Sequence, residues 1–106
     1  DGLVISLAEH NGSYSTAFKN ALDWMSRIDG KLWGQKPMLL MATSPGGRGG
    51  QTVLAGALGY FPHLGGNIVA DFSLPSFYDN FSEEGLKDSS LNIVLNEKIS
   101  LLEKAL

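Results

Sequence analysis

The stretch that decides the fold is Met38–Leu39–Leu40–Met41–Ala42–Thr43–Ser44–Pro45–Gly46–Gly47–Arg48–Gly49–Gly50. It begins as a short apolar run, and four of its last five residues are glycine. From Gln51 the apolar spacing turns helical. Strand, glycine loop, helix is the order found in α/β proteins that hold a ligand beyond the carboxyl ends of their strands. A loop without side chains leaves its backbone N–H groups open to a ligand. Taken alone, it also reads as a glycine-rich connection and nothing more.

Upstream, Leu3–Ala8 is a nearly continuous apolar run, the pattern of a strand covered on both faces of a parallel sheet. Glu9–His10–Asn11–Gly12–Ser13 follows as a turn. Asn–Gly between two strands signals a two-residue hairpin. The segment beyond is helical, however, so a loop entering a helix is expected. Tyr14–Ile28 is that helix, with Ser13 or Ser15 as its N-cap. Phe18, Leu22 and Met25 share one stripe, and Ala17, Ala21, Trp24 and Ile28 another. This surface is broader than one sheet contact needs. Either the helix meets a partner subunit, or Trp24 rests against the chain's own loops. Asp29–Gly30 stops the helix, and Trp33–Pro37 connects to the next strand.

Downstream, Gln51–Phe61 is a second helix. Gly56 and Gly59 weaken it by roughly 1 kcal/mol each relative to Ala, and small residues there permit close approach of another helix. Pro62 ends or kinks it. Asn67–Pro75 reads as a third strand. Ser76–Asp88 is polar and irregular, studded with Phe77, Tyr78 and Phe81, and is the one candidate mobile segment. A last helix runs from about Ser89 to Leu106, capped by Asp88 or Ser90. The order β-α-β-α-β-loop-α predicts right-handed crossovers and a parallel sheet within a single unit, residues 1–106.

Bulk properties narrow the function. A chain of 106 residues with net charge −3 has no basic surface for nucleic acid. It has no cysteine, and His10 and His63 are its only histidines, without ligand spacing around them. A protein-bound transition metal is therefore not expected. No apolar run approaches the roughly 20 residues of a membrane span, and no signal peptide is seen, so a cytoplasmic protein is expected. The chain enters a core strand directly after Asp1–Gly2. We read this as the C-terminal part of a longer protein.

The element order places two loops at the carboxyl ends of the strands, Glu9–Ser13 and Ser44–Gly50. If their strands are neighbours, these loops present backbone groups together with the Glu9, His10, Asn11, Ser44 and Arg48 side chains. The glycine loop fits neither Gly-x-Gly-x-x-Gly nor the P-loop. Ser44 lacks a nucleophile-elbow setting, and Glu9 is the only acidic residue placed there. No catalytic side chain is assigned. A site rich in backbone hydrogen-bonding groups suits a cofactor that brings its own chemistry, such as a flat heteroaromatic with polar edge atoms.

Glu9–His10–Asn11–Gly12–Ser13, then "FKNALDWMSR" at 18–27, then "ATSPGGRGG" at 42–50, resembles the NADPH-dependent FMN reductase family of flavodoxin-like quinone, azo-dye and chromate reductases. The resemblance implies a three-layer α/β/α fold with a parallel sheet. It implies hydride transfer from NADPH or NADH through FMN to a quinone or similar acceptor. The cofactor contacts it implies are Glu9, His10, Asn11 and Gly12 on one side of the flavin ring, and Ser44, Pro45, Gly46, Gly47, Gly49 and Gly50 at its edge, mainly through backbone. Arg48 reads as a contact to a nicotinamide phosphate or as a solvated loop arginine. The family's dimer implies a homo-oligomer built through helices 14–28 and 51–61.

Two departures matter. The family's Pro-Glu-Tyr reads Ala8–Glu9–His10 here, so His10 stands where the family has an aromatic, and an ordinary loop histidine is the other reading. The family's phosphate loop, Gly/Thr-Ser-x-Arg-x-x-Ser, is absent from the chain. In the flavodoxin strand order 2-1-3-4-5 the chain would then supply strands 3, 4 and 5. The edge of strand 3–8 would be exposed and open to pairing with another chain, and the isolated chain would be inactive. A non-enzymatic flavodoxin-like electron carrier or interaction module, and an inactive fragment, are the alternatives.

Overall fold

A computed structural model describes residues 1–106. Strand β1 (Leu3–Ala8) leads through a turn into helix α1 (Thr16–Ile28), strand β2 (Pro37–Thr43) and helix α2 (Gln51–Tyr60). A 3₁₀ turn, Phe61–Leu64, precedes strand β3 (Asn67–Leu74). Then come a short helix α3 (Phe77–Asn80), a hairpin of β4 (Phe81–Ser82) and β5 (Gly85–Leu86), and helix α4 (Ser89–Ala105). The three long strands form a parallel sheet in the order β1-β2-β3.

The sheet lies between two helical layers. On one face Leu7, Met38, Leu40 and Ala42 pack with Leu22 of α1, with Val53, Leu54 and Ala57 of α2, and with Phe61. On the other, Leu39 and Ala70 meet Leu102 of α4. The Ser15 side chain accepts from the Phe18 N–H and starts α1, while Asp88 accepts from Ser90 and Leu91 and starts α4. No helix is long and apolar enough to cross a membrane.

Four readings of the sequence are corrected. First, β1 is not covered on both faces. Leu3, Ile5 and Leu7 meet the main core, while Val4, Ser6 and Ala8 are exposed, because α4 packs chiefly over β3 and β2. Second, Asn11–Gly12 does close a two-residue turn. His10 and Ser13 exchange backbone hydrogen bonds of 2.8 and 3.1 Å, and both turn residues have positive φ, 52° and 80°, the mirror-image geometry that Asn–Gly favours. The chain then enters α1 directly. Third, residues 77–86 are not irregular but form α3 and the β4–β5 hairpin. The Phe77 and Phe81 rings stack at 5.1 Å and, with Leu86, Leu95, Met41, Phe72 and Leu74, line an apolar cavity of ≈ 190 Å³. Fourth, Trp24 does not rest on the chain's own loops, being 69% exposed.

Trp33, in the connection between α1 and β2, is a core residue, its ring 4.9 Å from that of Phe61. The last helix buries Leu102 alone, leaving Val94, Ile99 and Leu106 of its apolar stripe exposed. Pro62 ends α2 and opens the 3₁₀ turn, which Gly65 closes at φ 82°.

Candidate functional site

The sheet register builds the site. Parallel pairing sets Ala8 of β1 opposite Thr43 of β2, so the loops that begin at Glu9 and Ser44 leave the sheet side by side. Between them lies a cleft of ≈ 440 Å³ lined by Glu9, Asn11, Gly12, Ser44, Gly46, Gly47, Arg48 and Gly50. Its size falls in the roughly 300–1,000 Å³ range of small-molecule sites, but no hydrophobic residue lines it. The two loops also meet α2: a Cβ on Gly12 would stand 3.5 Å from the Thr52 methyl, and the Arg48 guanidinium donates to Thr52 Oγ1 at 3.0 Å.

Eight of the eleven residues expected at the site therefore converge on one cleft. His10, Pro45 and Gly49 are not in its lining. His10 is exposed and tied through its backbone to Ser13. Gly49 is buried against β3: at φ 61°, a Cβ there would collide with Ser73 Oγ and lie 2.9 Å from the Leu74 carbonyl carbon. Gly50 is packed on β2, where a Cβ would stand 2.9 Å from the Ala42 Cβ. These two glycines are required by close approach and by left-handed backbone, whereas a Cβ on Gly46 or Gly47 would meet nothing within 4 Å.

Hydrogen bonding gives the glycine loop a polarity. The Ser44 carbonyl accepts from Phe77 N, and the Gly46 carbonyl from Ser76 N and Gly49 N. The Arg48 and Gly50 carbonyls accept from Gln51 N and Leu54 N, and the Gly49 carbonyl from Ser73 Oγ. The N–H groups of Gly46, Gly47, Arg48 and Gly50 have no partner in the chain. The loop thus offers donors to the cleft with most of its acceptors already engaged, beside the N-terminus of α2. This suits a ligand edge bearing carbonyl oxygens or ring nitrogens. Arg48 is the only cationic side chain in the lining.

Thr43, Ser73 and Ser76 support the loop and were not found from the sequence. Thr43 Oγ1 donates to the Leu74 carbonyl at 2.8 Å, and Ser76 holds Gly46 from a left-handed conformation, φ 47°. Their roles depend on which loop packs against which strand end, and hydroxyl residues carry no local signal for that. The one titration shift near the α1–α2 layer is at Tyr14, whose phenol burial pushes up from its ordinary value.

Comparison with known proteins follows the same lines. The family described as NADPH-dependent FMN reductase matches residues 1–79. The chain belongs to the NADPH-dependent FMN reductase family. FMN and a reduced nicotinamide are thus the family's cofactor and co-substrate. A 2-hydroxy-1,4-benzoquinone reductase from a Burkholderia species is 36% identical over 107 residues, covering 97% of this chain and 55% of that protein. A quinone reductase of Escherichia coli K12 is 42% identical over 50 residues, 47% of this chain and 27% of that protein. A flavoenzyme NAD(P)H:(acceptor) oxidoreductase from Paracoccus denitrificans has a like fold, with a TM-score of 0.73 at 24% identity over 98% of this chain and 62% of its own. The chain spans about half the length of the Burkholderia reductase that it matches.

Proposed function

We propose that the cleft between Glu9–Gly12 and Ser44–Gly50 holds the flavin ring of FMN in an NAD(P)H-dependent reductase of a quinone or similar small acceptor. The observation that carries this reading is the convergence of both loops on one cleft, where the glycine loop has unpartnered N–H groups and most of its carbonyls engaged. Bound FMN would supply the hydride and electron transfer. The chain's residues hold and orient it. The Gly46, Gly47 and Gly50 N–H groups donate to acceptor atoms on the ring edge, Asn11 and Glu9 fix the ring from the other loop, and Arg48 reaches a nicotinamide phosphate. A cytoplasmic setting, where reduced nicotinamide is supplied, belongs to the same reading.

The ring edge fits these residues, but a phosphate dianion does not. A phosphate calls for several charge-assisted hydrogen bonds, and the lining has one cation. We infer that β1, β2 and β3 correspond to strands 3, 4 and 5 of the flavodoxin order, and that further structure pairs with the open edge of β1. Two contrasts support this. The exposed face of β1 carries Val4 at 57% exposure, and the strand has no charged residue, whereas β3, the other edge, carries Asp71. The phosphate would be held by that further structure.

We also propose that a second copy of the chain covers α1 and α2. Trp24 and Ile28 of α1 are 69% and 88% exposed, while Gly56 and Gly59 of α2 have open space beside them. Bulky side chains on one helix and a small-residue groove on the other are complementary between copies.

The test is NADPH oxidation with a benzoquinone acceptor and added FMN, using the gene product that contains this sequence. Quinone-dependent oxidation with a bound yellow chromophore is expected. A protein that stays colourless and oxidises no nicotinamide contradicts the reading. One that binds FMN without oxidising nicotinamide is an electron carrier instead.

A further inference from the structure

We propose that Ser73 is a positioning residue that locks the peptide between Gly49 and Gly50, fixing which way the glycine loop points its donor. The inference rests on the flavin-ring reading of the cleft for its consequence, but not for its geometry.

A trans peptide is planar, with its carbonyl and its N–H on opposite sides. The Gly49 carbonyl accepts from Ser73 Oγ at 2.8 Å. The N–H on the far side of that same peptide belongs to Gly50, which lines the cleft and has no partner in the chain. Anchoring the oxygen on β3 therefore fixes the direction of a donor in the site, although Ser73 is not in the cleft lining. The need for a lock follows from the residues flanking the peptide. Both are glycines at positive φ, 61° and 74°, and glycine has low barriers between backbone regions. Turning the peptide over would put a carbonyl where the donor stood.

Ser73 is the only side chain from outside the loop that holds one of its carbonyls. Those of Ser44 and Gly46 are held by the backbone amides of Phe77, Ser76 and Gly49, with the loop's own Ser44 hydroxyl 3.3 Å from the Gly46 oxygen. The fit at Ser73 is close, since a Cβ on Gly49 would strike its hydroxyl. The absence of a Cβ at Gly49 and the hydroxyl at Ser73 form one device.

The experiment compares the wild-type chain with Ser73→Ala and Ser73→Thr. The first readout, without ligand, is the ¹⁵N–¹H shift and hydrogen exchange of Gly50. In Ser73→Ala the Gly50 amide is expected to shift and exchange faster, while amides of the β1–β2 core stay as they were. The second readout is binding of lumiflavin, a flavin ring without the ribityl phosphate, followed by fluorescence quenching. Ser73→Ala is expected to weaken it by about tenfold, the effect of one hydrogen bond and its orphaned acceptor, and Ser73→Thr to restore most of it. An unchanged Gly50 signal in Ser73→Ala overturns the lock. So does equal lumiflavin affinity when the wild type binds, or a loss matched by an equal general fall in stability in both variants. Wild type that takes up no lumiflavin contradicts the flavin-ring reading instead, and the Gly50 signal still decides the lock.

Discussion

Gly50 lies so close to Ala42 that a Cβ on the glycine would stand 2.9 Å from the alanine Cβ. The loop's last residue is thus pressed onto β2, at φ 74°. Gly50→Ala should cost about 2–5 kcal/mol, combining a left-handed non-glycine residue with overpacking. Urea unfolding should show a lower midpoint with an unchanged slope. Gly47→Ala, with open space at its Cβ, should leave the midpoint nearly unchanged.

Phe61 is fully buried and meets the rings of Trp33, Phe18 and Tyr14 at 4.9, 6.4 and 6.2 Å. Phe61→Ala should destabilise by about 3–5 kcal/mol. That is a large share of the roughly 5–15 kcal/mol of a typical domain, so loss of the cooperative thermal transition at 37 °C is the expected result.

The exposed stripe of α1 gives a prediction about assembly. Trp24→Glu should shift the sedimentation coefficient to that of a monomer while helical circular dichroism is retained. A wild-type chain that already sediments as a monomer at tens of micromolar would refute pairing through this face.

Asp88 gives a pH dependence. The Ser90 hydroxyl and the backbone N–H groups of Leu91 and Ser90 hold its carboxyl below the usual range. Because the folded value is the lower one, the cap's contribution is fully present above the unfolded carboxyl value of about 4. It is lost as pH falls through the folded value. Exchange of the Ser90 and Leu91 amides should therefore be steady relative to the rest of the chain near neutrality and should rise relatively in acid. Asp88→Asn, which keeps an acceptor but cannot titrate, should flatten that dependence.

Much of this was legible in the sequence because it is local. Leu3–Ala8 and the helix start at Gln51 follow from apolar spacing and the glycine punctuation. The parallel order put both loops at the same end of the sheet, and the pairing of β1 with β2 sets them side by side. What escaped depended on contacts distant in the chain. Ser73 reaches Gly49 across 24 positions, and Trp33 finds Phe61 only once α1 and α2 share a face. Gly49 and Gly46 look alike in sequence, yet one is buried against β3 and the other borders the cleft. The covering of β1 was misread because an apolar run does not reveal which neighbour covers its second face.

The central claim is that Glu9–Gly12 and Ser44–Gly50 form one ring-binding cleft. An ¹⁵N–¹H titration of the chain with lumiflavin tests it most directly. The predicted result is a saturable set of shifts at Asn11, Gly12, Gly46, Gly47 and Gly50. No shifts at these amides, or shifts centred on Phe77, Phe81 and Leu86 around the apolar cavity, would contradict it.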